Sequence, residues 1–181
     1  SVLTTNSIDT KIYNYFFKIN YGSSVDELKI FFVNITELGN SLWYFLIFFF
    51  IFFISFVTKK INLISNKKYF YLKHFSFFSI IYLLSTGLIT QIIKHLIGRT
   101  RPNHINLDEV VYFNFLTTDS TLHSFPSGHS STIIAVTLIS CLALPKLKIF
   151  LFISGSLIAV SRVVVGAHYF TDIIAGALIA I

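Results

Sequence analysis

Charged residues are scarce in this chain, and their scarcity decides its class. Asp, Glu, Lys and Arg make up 12% of its 181 residues, about half the share found in an average globular chain. Hydrophobic residues reach 54% and the mean hydropathy is +0.74, which is more apolar surface than one soluble core of this size buries. We therefore exclude a soluble fold and expect an integral membrane protein whose solvent is lipid.

Methionine is absent, and cysteine occurs once, at Cys141. One thiol forms no intramolecular disulfide, so cysteine usage leaves the redox compartment open. Its apolar surroundings favour a small core residue. The chain begins without methionine and stops at Ile181 inside an apolar run, so we expect the natural protein to extend beyond one or both ends.

Acidic residues are outnumbered by basic ones, which leaves a formal net charge of +6. A basic chain binds nucleic acid when its cations form a patch or stripe on a soluble fold. Here the cations stand at the ends of apolar segments and in short polar stretches, as membrane topology requires. We expect the bilayer as a partner and no nucleic acid, and the oligomeric state has no signal in the sequence.

Five apolar segments predict membrane spans: Leu42–Val57, Phe75–Ile93, Ser127–Leu144, Ile149–Val165 and Tyr169–Ile181. The chain end cuts the last one short of the about 20 residues that a span needs. Before them, Val25–Leu38 has helical apolar spacing with charges that favour the interface, or alternatively the edge of the bundle. The predicted fold is an all-α polytopic transmembrane bundle, with residues 1–40 as an outer, interfacial segment and residues 41–181 as the core.

Lysines crowd two connections, between the first two spans (Lys59, Lys60, Lys67, Lys68 and Lys73) and between the third and fourth (Lys146 and Lys148). The positive-inside rule makes both connections cytoplasmic. Alternation of the spans then places residues 94–102, 126–129 and 161–172 together on the opposite, outer side. These three clusters hold charges at span ends, where charge is costly unless it has a function.

The first cluster pairs two cations. Lys94 and Arg101 are seven residues apart, two helical turns on nearly the same face, before Pro102 ends the helix. Such a pair can clamp a dianionic phosphate. Arg99 lies about 140° round from Lys94 on the same helix, so we expect it outside the inner shell, touching headgroups or another part of the substrate. For Lys94 alone, snorkelling to the interface stays open as an alternative.

The second cluster, Pro126-Ser127-Gly128-His129, begins a span. A helix N-terminus offers free amides and a positive dipole end, and so is a ready anion site. Ser127 is a good N-cap and a possible phosphate donor, and Gly128 lets the backbone approach closely. His129 then faces whatever these amides hold, although an isolated histidine at a span end is more often structural.

The third cluster supplies a nucleophile candidate. His168 and Asp172 are four residues apart, hence on one helix face and within hydrogen-bonding reach. A carboxylate behind a histidine fixes its tautomer and makes the other ring nitrogen more basic. Arg162 ends the preceding span and can return to the same site as a third cation. A buried His–Asp pair that locks two helices is the alternative.

In this order the three clusters resemble the signature of the type 2 phosphatidic acid phosphatase superfamily. The family pattern is Lys, six residues, Arg-Pro; then Pro-Ser-Gly-His; then Ser-Arg, five residues, His, three residues, Asp. Every defining position is matched without a gap between residues 94 and 172. Vanadium-dependent haloperoxidases share the motif, but they are soluble proteins, and this composition excludes them.

The resemblance implies a role for each cluster. His168 attacks phosphorus to form a phosphohistidine, Asp172 orients it, and His129 protonates the leaving alcohol and then helps water attack. The other positions bind the phosphoryl oxygens: Lys94, Arg101, Arg162, Ser127 and Gly128. Because the cations neutralise the phosphate, the resemblance implies neither a metal nor another cofactor.

The implied function is a membrane lipid phosphatase acting on a phosphate monoester or diphosphate at the outer face, periplasmic in a bacterial inner membrane. Candidate lipids are phosphatidylglycerophosphate, phosphatidic acid, lipid A phosphate and undecaprenyl diphosphate, with the Asn103–Phe125 loop and Arg99 contacting the headgroup. A phosphotransferase and a non-enzymatic, transporter-like bundle remain alternatives, although the complete nucleophile–acid pair argues against the bundle. Bacterial members have six spans, so we expect a missing span before Ser1.

Overall fold

The computed structural model describes residues 8–20, 26–104 and 113–181, and these are mainly helical. These ranges contain seven α-helices: α1 (Ile8–Asn20), α2 (Asp26–Thr36), α3 (Ser41–Lys60), α4 (Asn66–Ile97), α5 (Gly128–Ala143), α6 (Lys148–Val164) and α7 (Phe170–Ile179). Short 3-10 turns lie at Glu37–Gly39, Pro102–His104, Ser120–Leu122 and Pro145–Leu147. Within these ranges β-pairing is limited to isolated bridges, so the all-α prediction is confirmed.

Each of the five predicted spans is an apolar helix, from α3 to α7. In the part of the chain that the structure describes, three stretches have the length and composition to cross a bilayer: Ser41–Lys60, Asn66–Ile97 and Pro145–Val164. The helices α5 and α7 are apolar but shorter, with 16 and 10 residues, against the about 20 residues of a full span. The predicted transmembrane bundle is confirmed, with three helices of full span length in the described part.

The helix α4 begins earlier than predicted. The sequence places its start at Phe75, but the helix starts at Asn66, where the Ser65 hydroxyl accepts a hydrogen bond from the Lys68 amide as N-cap (3.3 Å). The prediction assigns the lysines to a loop because charge avoids lipid. Lysine stems at a helix end, however, extend along apolar surface and keep the ammonium in water. The α3–α4 connection therefore shrinks to residues 61–65.

The outer face of α3 is apolar and exposed. Six of its large side chains are more than half exposed: Leu42, Trp43, Leu46, Phe49, Phe50 and Phe53. A contiguous apolar surface of this kind marks contact with a membrane or a partner. Together with the length of α3 it fits a helix whose outer face meets acyl chains.

The helix α5 is central, since it packs against α4, α6 and α7 and its residues 130–137 are all buried. The helix α7 comes close because Gly176 has no side chain, and a Cβ there would lie 2.4 Å from the Ser127 carbonyl oxygen. The Ser127 amide also donates to the Asp172 carbonyl (3.0 Å). These contacts bring the N-terminal ends of α5 and α7 together.

Two helices precede the spans. The helix α2 occupies most of the predicted Val25–Leu38 segment and packs along α6; Val25 itself lies outside the described residues. The helix α1, which packs against α6 and α7, has no counterpart in the sequence predictions. Its residues mix polar and aromatic side chains, so they lack the long apolar run that identifies the spans.

Candidate active site

The three clusters meet at one cavity of about 530 Å³. Its lining includes Gly128 and five charged or imidazole side chains of the predicted site: Lys94, Arg101, His129, Arg162 and His168. The cavity lies near the end of α4, 32 residues from the α3–α4 connection, which is about 48 Å along a helix. The clusters therefore lie together at the end of the bundle opposite the α3–α4 connection.

Lys94 and Arg101 reach the cavity by different routes. Lys94, in the last turn of α4, is 6% exposed, and its Nζ donates to the His123 carbonyl (2.8 Å), so it does not snorkel to the interface. The prediction that Arg101 continues the same helix is wrong, because α4 ends at Ile97. A loop places Arg101 instead, with its amide donating to the Thr121 carbonyl (3.2 Å).

Gly98 causes this early helix end. It adopts a left-handed conformation with φ of +53°, and a Cβ there would lie 1.8 Å from the Asn114 carbonyl oxygen. The Asn114 amide donates to the Gly98 carbonyl (2.7 Å), so residues 113–124 fold back on the segment after α4. The middle of the predicted headgroup loop, residues 105–112, lies outside the described residues.

Arg99 does not line the cavity, contrary to the prediction that it contacts the headgroup or another part of the substrate. It is 2% exposed and lies 2.5 Å from Asp172 Oδ1 through Nη1 and 2.8 Å from Asp9 Oδ2 through Nη2. Its guanidinium also stacks over the Tyr169 ring at 4.1 Å. The prediction assumed that the helix of Lys94 continues, and since it ends earlier, Arg99 turns into the bundle behind the site.

His168 stands between α6 and α7, just before the first turn of α7. Its Nδ1 lies 2.8 Å from the Ser124 carbonyl oxygen, which can only accept, so Nδ1 carries the proton and Nε2 is left with its lone pair. Asp172 Oδ2 is 3.6 Å from the same Nδ1, longer than the hydrogen bond that the spacing predicts. A backbone carbonyl therefore fixes the tautomer, with the carboxylate beside it.

Asp172 is fully buried and held from several sides. Its Oδ2 accepts hydrogen bonds from the Ser124 hydroxyl (2.6 Å) and the Tyr169 amide (2.9 Å), the latter as part of a capping box at the start of α7. Its Oδ1 faces Arg99. Ser124 and Arg99 are missed by motif reasoning, because their roles depend on contacts between distant segments.

Burial also sets the charge of His168. It lowers the pKa of the imidazole to about 4, although the Asp172 carboxylate acts in the opposite direction. At neutral pH the ring is therefore uncharged, and Nε2 can serve as a nucleophile.

The lowered pKa of His168 predicts a loss of stability in acid. Between pH 6.5 and 4, His168 binds a proton in the unfolded chain but not in the folded one, so the free energy of unfolding falls as the pH falls. The loss approaches about 3 kcal/mol at pH 4. In detergent, the melting temperature of the wild type should fall more steeply with decreasing pH than that of His168→Asn, which cannot take up that proton. Parallel declines would contradict a lowered pKa.

The N-terminus of α5 is built as its sequence predicts. Ser127 is the N-cap and accepts from the Ser130 amide (3.3 Å) and the Ser130 hydroxyl (3.0 Å). The Ser127 side chain is fully buried and is not part of the cavity lining, whereas Gly128 and His129 line it. Because a helix N-terminus leaves its first amides without intrahelical partners, this turn can offer hydrogen-bond donors to an anion in the cavity.

The segment before α3 closes over the site, which the motifs do not predict. Gly39 lies so close to His129 that a Cβ would be 3.0 Å from its ring. Arg162 donates from Nη1 to the Thr36 hydroxyl (3.1 Å), and its buried Nε has no hydrogen-bond partner among the described residues. A guanidinium that lines a cavity in this state is suited to bind an anion.

The rest of the lining is part apolar and part polar. The apolar part runs along α3 and α4 and consists of Phe45, Leu83, Leu84, Gly87 and Leu88, and the polar residues are Asn40, Ser41, Thr90, Gln91, Ser131 and Thr132. The cavity thus combines a cationic end with a hydrophobic wall, which suits an amphiphile with an anionic group.

Comparison with known proteins gives the same family as the three sequence motifs. The model of the PAP2 superfamily matches residues 75–181. Two curated relatives are named lipid A 1-phosphatase. The relative from Rhizobium johnstonii is 35% identical over 100 residues, 55% of this chain and 40% of its own. The relative from Rhizobium etli is 35% identical over 91 residues, 50% and 39% of the two chains. The chain thus spans about two fifths of the length of these relatives.

The crystal structure of Aquifex aeolicus LpxE has a similar fold. The TM-score is 0.61 at 19% identity, over 99% of this chain and 94% of that one, a likeness that concerns the fold alone. The family model covers more than half of this chain and includes all three residue clusters. The protein therefore belongs to the PAP2 superfamily.

Proposed function

We propose that this chain is the core of an integral-membrane lipid phosphatase that hydrolyses a lipid phosphate ester through a phosphohistidine. One observation carries the proposal: two histidines and three cations converge at one end of a cavity whose other wall is hydrophobic. When the phosphate is bound at the cationic end, the attached lipid chain lies along α3 and α4.

The three cations hold the phosphoryl group. Lys94 brings a point charge from α4, whereas Arg101 and Arg162 bring planar guanidinium groups. The free amides of the first turn of α5, beginning at Gly128, add hydrogen bonds and a positive helix dipole. Such preorganised charges stabilise the transition state of phosphoryl transfer without an added metal ion.

In the first step, Nε2 of His168 attacks phosphorus. The N–P bond forms as the P–O bond to the lipid breaks, and the electron pair stays on the lipid oxygen. His129 in its protonated form gives that oxygen a proton. The phosphorylated ring is cationic, and the Ser124 carbonyl and the Asp172 carboxylate beside Nδ1 stabilise it.

In the second step, water attacks phosphorus and gives a proton to His129. The N–P bond breaks, its electron pair returns to Nε2, and inorganic phosphate leaves. His129 is again protonated and His168 is again neutral, so the site is ready for another turnover.

The 1-phosphate of lipid A is the first substrate to test, since both curated relatives carry the name lipid A 1-phosphatase. We expect phosphate release from one member of a panel containing lipid A, phosphatidic acid, phosphatidylglycerophosphate and undecaprenyl diphosphate in mixed micelles. The rate should be unchanged by EDTA, because the cations of the site supply the positive charge. Loss of activity in EDTA would contradict the metal-free mechanism, and no release from any lipid would contradict the function.

The lysines at the adjoining ends of α3 and α4 and around the α5–α6 turn support an orientation with the site on the outer, periplasmic side of a bacterial inner membrane. Single cysteines test it in a Cys141→Ser background. In intact spheroplasts a membrane-impermeant maleimide should label Thr118→Cys, in the exposed loop near the site, and should spare Lys67→Cys at the start of α4. The reverse pattern would contradict the orientation.

A further inference from the structure

A buried ion network lies behind the nucleophile and begins on α1, outside residues 75–181 of the family match. Asp9, Arg99 and Asp172 are 5%, 2% and 0% exposed. Arg99 bridges the two carboxylates at 2.8 and 2.5 Å. Even a paired buried ion network adds little net stability, because the cost of removing its charges from water offsets their attraction. Net stability therefore gives little reason for burying three charges here.

Asp9 is bound at both of its oxygens. Its Oδ1 accepts from the Thr171 amide (3.0 Å), and its Oδ2 accepts from the Thr171 hydroxyl (2.5 Å) and from Arg99. The Thr171 oxygen in turn accepts from Arg99 Nη1 (2.8 Å). The carboxylate of Asp9 thereby ties α1 both to the first turn of α7 and to the arginine that touches Asp172.

The network also sets the charge beside His168. Arg99 alone would cancel the charge of Asp172, whereas two carboxylates and one guanidinium leave a net charge of −1. Because Arg99 occupies Oδ1 of Asp172, Oδ2 is the oxygen left facing His168 Nδ1, at 3.6 Å. A negative charge fixed at this place favours the cationic, phosphorylated ring.

We propose that Asp9 is a positioning residue for the reaction, which through Arg99 holds Asp172 in place and preserves a negative charge beside His168. The inference rests on the phosphohistidine function proposed above. It makes the helix α1 part of the catalytic machinery, although none of the three motifs includes it.

The test is a double-mutant cycle on purified protein with the preferred lipid phosphate. Asp9→Asn should lower kcat by roughly 10- to 100-fold, the usual range for partners that orient a catalytic ligand, while KM stays within about twofold because Asp9 does not line the substrate cavity. In an Arg99→Gln background the same substitution should cause no further loss. Glu27→Gln, at an exposed carboxylate of α2, is the matched control with wild-type kcat.

Full kcat in Asp9→Asn, or losses that multiply in the double variant, would overturn the inference while leaving an active wild type and the proposed function intact. A wild type that is inactive on every lipid phosphate would instead remove the function itself. If Asp9→Asn fails to fold, the exposed Thr171 carries the test. Thr171→Val removes the hydroxyl that donates to Asp9 and accepts from Arg99, and it should lower kcat by roughly 5- to 30-fold, as for one to two lost hydrogen bonds. Thr171→Ser should restore the rate, and equal rates in Thr171→Val and the wild type would overturn the inference.

Discussion

Replacing His168 with alanine should abolish turnover, lowering kcat by about 10⁴-fold or more. The substitution removes the Nε2 atom that attacks phosphorus in the proposed mechanism, and among the described residues the cavity lining contains one other imidazole, His129. Binding should survive, because Lys94, Arg101 and Arg162 remain. Initial rates of phosphate release, with substrate binding measured separately, separate these two effects.

The matched control is His74→Ala. His74 is exposed, and its Nδ1 lies 2.7 Å from the Phe70 carbonyl oxygen of the same helix, α4. It is about 30 Å along α4 from Lys94. This variant should keep wild-type turnover. Full activity in His168→Ala would reject His168 as the nucleophile, whereas equal losses in both variants would indicate a general effect on folding.

Replacing His129 with alanine should lower the hydrolysis of a lipid phosphate by about 10²- to 10⁴-fold, the usual contribution of a general acid–base group. The loss should depend on the leaving group. An alkyl alcohol needs a proton as it departs, whereas a p-nitrophenolate leaves without one. With an aryl phosphate as substrate, this variant should therefore keep the rate of the first step, the transfer of the phosphoryl group to His168.

In the proposed mechanism, the second step still needs His129 to accept a proton from water. With an aryl phosphate, the variant should release one equivalent of nitrophenol in a burst and then slow sharply, because the phosphohistidine accumulates. The wild type should show steady turnover. Equal losses for alkyl and aryl substrates, without a burst, would contradict the role of His129 as proton donor.

Local sequence pattern predicts most of the helices and the charged and imidazole side chains that line the cavity. Apolar length identifies α3 to α7, and the cap-and-glycine sequence before His129 predicts the start of α5. Local sequence pattern does not predict the route of the chain after Lys94. The conformation of Gly98 depends on its contact with Asn114, in a loop segment that returns beside it. Arg101 nevertheless reaches the predicted cavity through that loop.

The network behind the nucleophile shows what local pattern misses. Asp9 and Arg99 are 90 residues apart, and no period or spacing links them. An isolated acidic residue in a mixed polar segment resembles a solvated helix end, and an arginine at a span end resembles an interface residue. Only the packing of α1 against α6 and α7 reveals that both are buried together.

Trapping the covalent intermediate tests the central claim most directly. His129→Ala protein, quenched during the burst with an aryl phosphate and digested under alkaline conditions, should yield one acid-labile phosphoryl group on the peptide that contains His168. The double variant with His168→Ala should yield none. A phosphoryl group on another residue, or a burst without any phosphorylated peptide, would contradict the account.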